Sequence, residues 1–379
     1  MKFVNLKRPG WAKLFIAGAL ALTMSATANA GPYLLMDLGS GRVIAQENAF
    51  QRWYPASLTK LMTAYVAFRM IRNGDATMQT PVTITAAAAK LPPAKMGYPV
   101  GSQLTLETAL KIIMVKSAND VARSIADSLA GSEELFAAWM NAEAGRLGMT
   151  DTHFVNAHGL HSPQQYTTAR DLAILTRAIR TEFPQYVGLF SIEGIQSGKS
   201  KMPNGNPLVG RFAGTDGMKT GYICASGFNL VSTATRNGRT LAAVVLGSLS
   251  QTERAETAAA LLAEGFKRGG GSGTPISNLQ RGRAVSGPVD ISQSICTAEA
   301  AAKRNEKRDK KGRLVFSSPH LSPMAREPRL IQVGLLNSGV TIAKTTGGTN
   351  AASMIGQLVN VPLPTPRPDY APMAYGQGG

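Results

Sequence analysis

The chain has 379 residues, 44% of them hydrophobic, and carries 40 Lys+Arg against 23 Asp+Glu, a formal net charge of +17. That length suffices for one large globular unit with an appendage. Two cysteines and 4 histidines, none in a ligand-spaced cluster, argue against a structural zinc site, and no metal or cofactor is expected.

Residues 1–30 place Lys2, Lys7, Arg8 and Lys13 before an apolar run from Leu14 to Met24 and end in Ala28-Asn29-Ala30. This order reads as a Sec-type export signal, with the mature chain starting near Gly31. The run is too short to cross a bilayer, so no transmembrane anchor is expected in the mature chain. An exported basic protein meets anionic lipid or acidic envelope polymers rather than nucleic acid. An oxidising exterior permits Cys224 and Cys296 to pair, although sequence does not supply the geometry a disulfide needs.

Tyr33 to Glu47, with Gly39-Ser40-Gly41 at its centre, predicts an opening β-hairpin. A buried helix is predicted to start at Ser57 and run to Ile71, where Asn73-Gly74 stops it. Helical spacing recurs at Leu104–Val115, Asp120–Leu129, Glu133–Leu147 and Ala169–Ile179, which makes the middle of the chain a helical lobe. After Asp216, three β-prone runs (Met218–Cys224, Phe228–Thr235, Thr240–Leu246) are separated by glycine-bearing turns. A helix from Glu253 to Phe266 closes the unit at residue 268. Residues 269–379 read as linker, basic run and proline- and glycine-rich tail, largely disordered.

Ser57-Leu58-Thr59-Lys60 puts a hydroxyl and an amine one helical turn apart on the same face. Serine needs an adjacent base to become a nucleophile, and lysine serves as one only when burial or a second cation lowers its pKa. Alone, the motif reads more readily as a helix cap followed by an ordinary surface lysine. It has two companions in order: Ser117-Ala118-Asn119 between two helices, and Lys219-Thr220-Gly221 at the start of the β-rich stretch. Taken singly, the first could cap the next helix and the second could be a plain strand edge.

Together the three form the set shared by β-lactamases and penicillin-binding proteins. Residues 31–267 resemble the low-molecular-weight D-alanyl-D-alanine carboxypeptidases. Tyr54-Pro55-Ala56-Ser57-Leu58-Thr59-Lys60-Leu61-Met62-Thr63, Lys116-Ser117-Ala118-Asn119-Asp120-Val121-Ala122, His158-Gly159-Leu160 and Thr215-Asp216-Gly217-Met218-Lys219-Thr220-Gly221 carry the resemblance. It implies an α/β (α+β), β-lactamase/transpeptidase-like fold, an antiparallel sheet flanked by helices plus a mostly helical lobe. It also implies that Ser57 is the nucleophile, Lys60 its base, and Ser117, Asn119 and Lys219 the remaining polar network. Lys219, Thr220, Gly221, Tyr222 and Arg254 would bind substrate, with the backbone N–H groups of Ser57 and Tyr222 as oxyanion donors. Relatives often carry histidine where Tyr222 stands.

The implied substrates are peptidoglycan stem peptides, with β-lactams as covalent inhibitors, in the periplasm or cell envelope. The histidines at 158 and 161 lie in a loop pattern with no serine motif of their own, and Asp171 reads as a first-turn helix acid. Glu182 and Glu193 lack an asparagine four residues on, so the deacylating loop of class A β-lactamases is missing. A cross-link-cutting endopeptidase, a β-lactamase and a non-enzymatic envelope-binding protein are the alternatives.

Overall fold

The computed structural model describes residues 31–282, 287–304 and 306–336. The expected export signal at 1–30 and the end of the tail lie outside the described residues. In chain order, β1 (Tyr33–Asp37) and β2 (Arg42–Glu47) form the opening hairpin, and a 3-10 turn (Ala56–Leu58) leads into α1 (Thr59–Asn73). There follow β3 (Pro81–Thr83), α2 (Ala86–Ala89), β4 (Gln103–Thr105), α3 (Leu106–Val115), α4 (Asn119–Ala130), α5 (Glu133–Leu147) and α6 (Ala169–Glu182). The ribbon β5 (Gly194–Ser197) and β6 (Ser200–Pro203) precedes β7 (Thr215–Ile223), β8 (Gly227–Arg236), β9 (Arg239–Ser248) and α7 (Gln251–Lys267). The last elements are β10 (Thr274–Pro275), α8 (Ser292–Ile295), α9 (Ala298–Lys303) and β11 (Leu330–Gln332).

The main sheet has the order β10-β2-β1-β9-β8-β7, so the first hairpin joins the late strands in one antiparallel sheet. Alternation along its strands separates two apolar layers. Leu34, Met36, Val231, Ala242, Val244 and Leu246 face the helical lobe, whereas Leu35, Leu230, Leu241, Ala243 and Val245 face Ala255, Ala258, Ala259 and Leu262 of α7. Helix α1 is buried from Thr59 to Phe68, as expected of a helix enclosed on all sides. Gly74 in the left-handed region ends it, with Asp75 N–H bonded back to Met70 O. The short ribbons β3–β4 and β5–β6 carry too few residues to show a period, and the sequence pattern passes over them.

The expectation of a largely disordered segment after residue 268 is corrected for the described residues between 274 and 336. Strand β10 extends the main sheet beside β2, Val289 bridges to Trp53, and β11 runs parallel to β5. Cys296 is bridged to Cys224 across 72 residues of sequence, with a Cα–Cα distance of 5.7 Å. Composition hides this because the buried apolar anchors are few, Ile295, Leu321 and Val333, with others such as Val289, Ile291 and Phe316 only partly buried against the cores. A double Cys224→Ser, Cys296→Ser variant is expected to lose about 2–4 kcal/mol of stability, read by urea unfolding against the oxidised protein.

Candidate active site

Three chain segments meet at a cleft of about 670 Å³ between the edge strand β7 and the helical lobe. The Ala56–Leu58 turn brings Ser57, with Ala56 held at φ 48°; the turn before α4 brings Ser117, itself at φ 64°, and Asn119; β7 brings Thr220, Gly221 and Tyr222. Positive φ at two non-glycine residues flanking the reactive groups is strain of the kind that surrounding structure must hold in place. Gly159, at φ +87°, backs directly onto the Ser57 turn, where a Cβ would lie 1.9 Å from Ala56 O. Gly159→Ala is therefore expected to displace Ser57 and slow its acylation by about 10²-fold, measured as the rate of penicillin labelling.

Lys60 is fully buried, and its Nζ donates to Ser57 Oγ at 2.9 Å, to Asn119 Oδ1 at 2.9 Å and to the backbone carbonyl of His158. Burial, then the charge of Lys219, hold its pKa well below the ordinary lysine value, while Asp120 acts in the opposite direction. Asn119 opens α4 without capping it: Ala118 occupies the N-cap and makes no side-chain bond, while Asn119 Nδ2 is held by Pro92 O at 3.2 Å. Ser117 Oγ is buried without a hydrogen-bond partner. The capping role that the sequence left open for Ser117 and Asn119 is thus not the one they adopt.

Lys219 is also buried, and its Nζ bonds only its neighbour's carbonyl, Thr220 O, at 3.0 Å, so it stands apart from the Ser57–Lys60–Asn119 set. Burial and the nearby Arg254 lower its pKa to about 7. Arg254 is no solvated helix-start residue: it is 4% exposed in the cleft wall. Its Nη atoms make long bonds of 3.4–3.5 Å to the carbonyls of Gly205, Gly221 and Asn229, and its Nε has no partner. Burial lowers its pKa to about 10. Tyr222 turns its side chain outward, its ring centroid 4.4 Å from that of Phe228 and its hydroxyl 3.3 Å from Cys296 Sγ.

Neither histidine ring is hydrogen-bonded to Ser57, whose side-chain partner is Lys60. His158 Nε2 lies 3.4 Å from Glu133, which also accepts from the Ala157 N–H, and His161 packs on Tyr54. Asp171 is buried and accepts from the Asp151 N–H, Thr152 and Arg170. Glu182 is paired with Arg72 and Arg146, and Glu193 with Arg326, so neither lines the cleft. Sequence reasoning missed the His158 carbonyl, since a backbone acceptor has no residue signature, and missed Arg304 and Glu306, which line the cleft from the C-terminal segment. No group of three or more His, Cys, Asp or Glu gathers as a metal site among the described residues, and no described helix is long and apolar enough to cross a membrane.

Comparison with known proteins places this geometry among others. The family model described as D-alanyl-D-alanine carboxypeptidase matches residues 20–250. The D-alanyl-D-alanine carboxypeptidase DacC of Escherichia coli is 36% identical over 246 residues, which are 63% of this chain and 62% of that protein, so less than two thirds of that relative is matched. Penicillin binding protein 6B from Escherichia coli superposes with a TM-score of 0.60 at 34% identity, covering 63% of this chain and 78% of that one. Penicillin-Binding Protein D2 from Listeria monocytogenes, solved in its ampicillin-bound form, gives 0.57 at 25% identity, covering 63% and 98%. The fold is thus the penicillin-binding type expected from the three motifs.

Proposed function

Because this chain belongs to the D-alanyl-D-alanine carboxypeptidase family, we propose that it is a serine D,D-carboxypeptidase that removes the terminal D-alanine from peptidoglycan stem pentapeptides in the cell envelope. The observation that carries this reading is Lys60, buried and pKa-depressed, with its Nζ 2.9 Å from the Ser57 hydroxyl oxygen. A neutral amine in that place takes the hydroxyl proton as Ser57 Oγ attacks the carbonyl between the two D-alanines. Collapse of the tetrahedral adduct breaks the C–N bond, and the proton passes to the leaving amine. Water then cleaves the acyl-serine ester, regenerating Ser57 and releasing a tetrapeptide.

The backbone N–H groups of Ser57 and Tyr222 would hold the oxyanion. The closeness of β7 to the nucleophile supports that pairing, since a Cβ on Gly221 would lie 3.1 Å from Ser57 N. Lys219, Thr220 and Arg254 form the cationic, hydroxyl-bearing end suited to the free carboxylate of the departing D-alanine. Asn119 holds the Lys60 amine toward Ser57, and the unpartnered Ser117 hydroxyl is free to pass a proton to the leaving nitrogen.

A β-lactam presents a strained amide and a carboxylate in the same arrangement and would acylate Ser57. Glu306 is the only acid lining the cleft among the described residues, and its carboxylate is taken up by the N–H groups of Gln251 and Thr252 and by Gln251 Nε2. The ester would accordingly be long-lived, and β-lactams would inhibit. Mass spectrometry of the protein incubated with benzylpenicillin, then with a pentapeptide ending in D-Ala-D-Ala, tests this. A stable adduct on Ser57 and loss of one D-alanine are expected; rapid adduct turnover would indicate a β-lactamase, and no adduct would overturn the reading.

A further inference from the structure

The cleft is completed by a segment that lies outside the stretch matched by the family model, which ends at residue 250. Residues 292–304 and Glu306 lie at its β7–α7 end, fastened at one point by the Cys224–Cys296 bridge just beyond β7. At a second point, Glu306 accepts from Gln251 N–H at 2.6 Å and Thr252 N–H at 3.1 Å in the first turn of α7, the helix that carries Arg254. Between these anchors, Arg304 enters the cleft lining. Its guanidinium lies 5.5 Å from the centroid of the Phe228 ring, and that of Arg254 lies 5.7 Å from the same centroid. One Arg304 Nη2 donor goes to Ile295 O at 3.0 Å, which sets its direction and leaves the rest of its fork unassigned.

We propose that Arg304 is a second substrate-binding residue of this site, which, together with Arg254, recognises a free carboxylate on the leaving residue. The inference rests on the carboxypeptidase reading, because that reading supplies the carboxylate. Two guanidiniums flanking one aromatic ring at the same end of a cleft make a place for an anion. Of the acids nearby, Glu306 has its oxygens engaged by three N–H donors, Glu253 and Glu299 line a second hollow beside Arg304, and none of the three is bonded to either arginine's fork. Charge-assisted bonds from a guanidinium to a carboxylate are directional as well as strong, so this pair favours a substrate that ends at the leaving residue over one whose chain continues as an amide.

The test compares the wild-type protein with R304A and R304K on a pentapeptide ending in D-Ala-D-Ala and on the same peptide with its C-terminus amidated. In R304A the ratio of kcat/KM for free acid over amide is expected to fall about tenfold, through KM rather than kcat, and R304K is expected to recover part of it. An unchanged ratio in R304A, or an equal loss on both peptides, would overturn the proposal. Thermal unfolding of both variants checks that the fold is kept, and R304K, which preserves the charge, serves if R304A is unstable. Labelling of wild-type Ser57 by benzylpenicillin separates the two levels. Without it the carboxypeptidase reading fails, and with it an unchanged ratio counts against Arg304 alone.

Discussion

Ser57→Ala is expected to form no penicilloyl adduct and to lose at least about 10⁴-fold in release of D-alanine from the pentapeptide, with thermal unfolding unchanged. The loss is large because the hydroxyl is the atom to which the acyl group must be transferred; no other described hydroxyl is bonded to Lys60. Without it, the remaining donors and cations can still bind substrate but have nothing to attack with. The fold should tolerate the change, since the only side-chain bond Ser57 makes is the one from Lys60, whose amine keeps Asn119 Oδ1 and the His158 carbonyl. Normal activity and envelope phenotype in Ser57→Ala cells would instead favour a binding module on an enzyme-like scaffold. Intact-mass measurement with benzylpenicillin and high-performance chromatography of the peptide products check both arms.

Much of this site was legible in the sequence because each reactive residue sits in a short motif whose local structure is dictated nearby. Ser57 and Lys60 are three residues apart across the junction of a 3-10 turn and α1, a spacing that any helical geometry brings to one face. Lys219 lies on a strand recognisable from its β-prone run and the glycine turn after it. The sheet itself followed from alternation, which assigns Leu34 and Leu35 to opposite faces without further information. What escaped was non-local. The His158 carbonyl reaches Lys60 only because Glu133 and Asn156 hold the 156–160 loop, through bonds that no periodicity records. The C-terminal segment was misread for a related reason: its composition is that of a linker, and its order depends on one disulfide and isolated apolar anchors such as Ile295. Arg304 and Glu306 were consequently out of view.

Lys60→Met should lower the acylation rate by about 10³-fold and change how it depends on pH, which distinguishes a base from a merely structural amine. Lys60 accepts a proton only when neutral, and its pKa is held below the ordinary lysine value by burial and by the Lys219 charge. Activity should therefore rise with pH as Lys60 deprotonates. It should fall again as Lys219, brought down to about 7 by burial and Arg254, loses the charge that attracts the substrate carboxylate. In Lys60→Met the rising limb should vanish, and the falling limb should stay near 7, because burial and Arg254, which hold Lys219 down, are unchanged.

Stability has its own sign. Each buried lysine binds its proton less well in the folded than in the unfolded chain, so the fold bears a penalty while the amine is charged. For Lys219 the penalty is full below about 7 and is relieved as pH rises from there to 10.5. For Lys60 the relief begins at its own depressed folded-state pKa and is likewise complete above 10.5. Methionine at 60 removes that contribution while filling the same space, so the urea midpoint of the variant relative to wild type should fall as pH rises. A Lys60→Met protein that kept the rising limb in its residual acylation would exclude Lys60 as the proton acceptor.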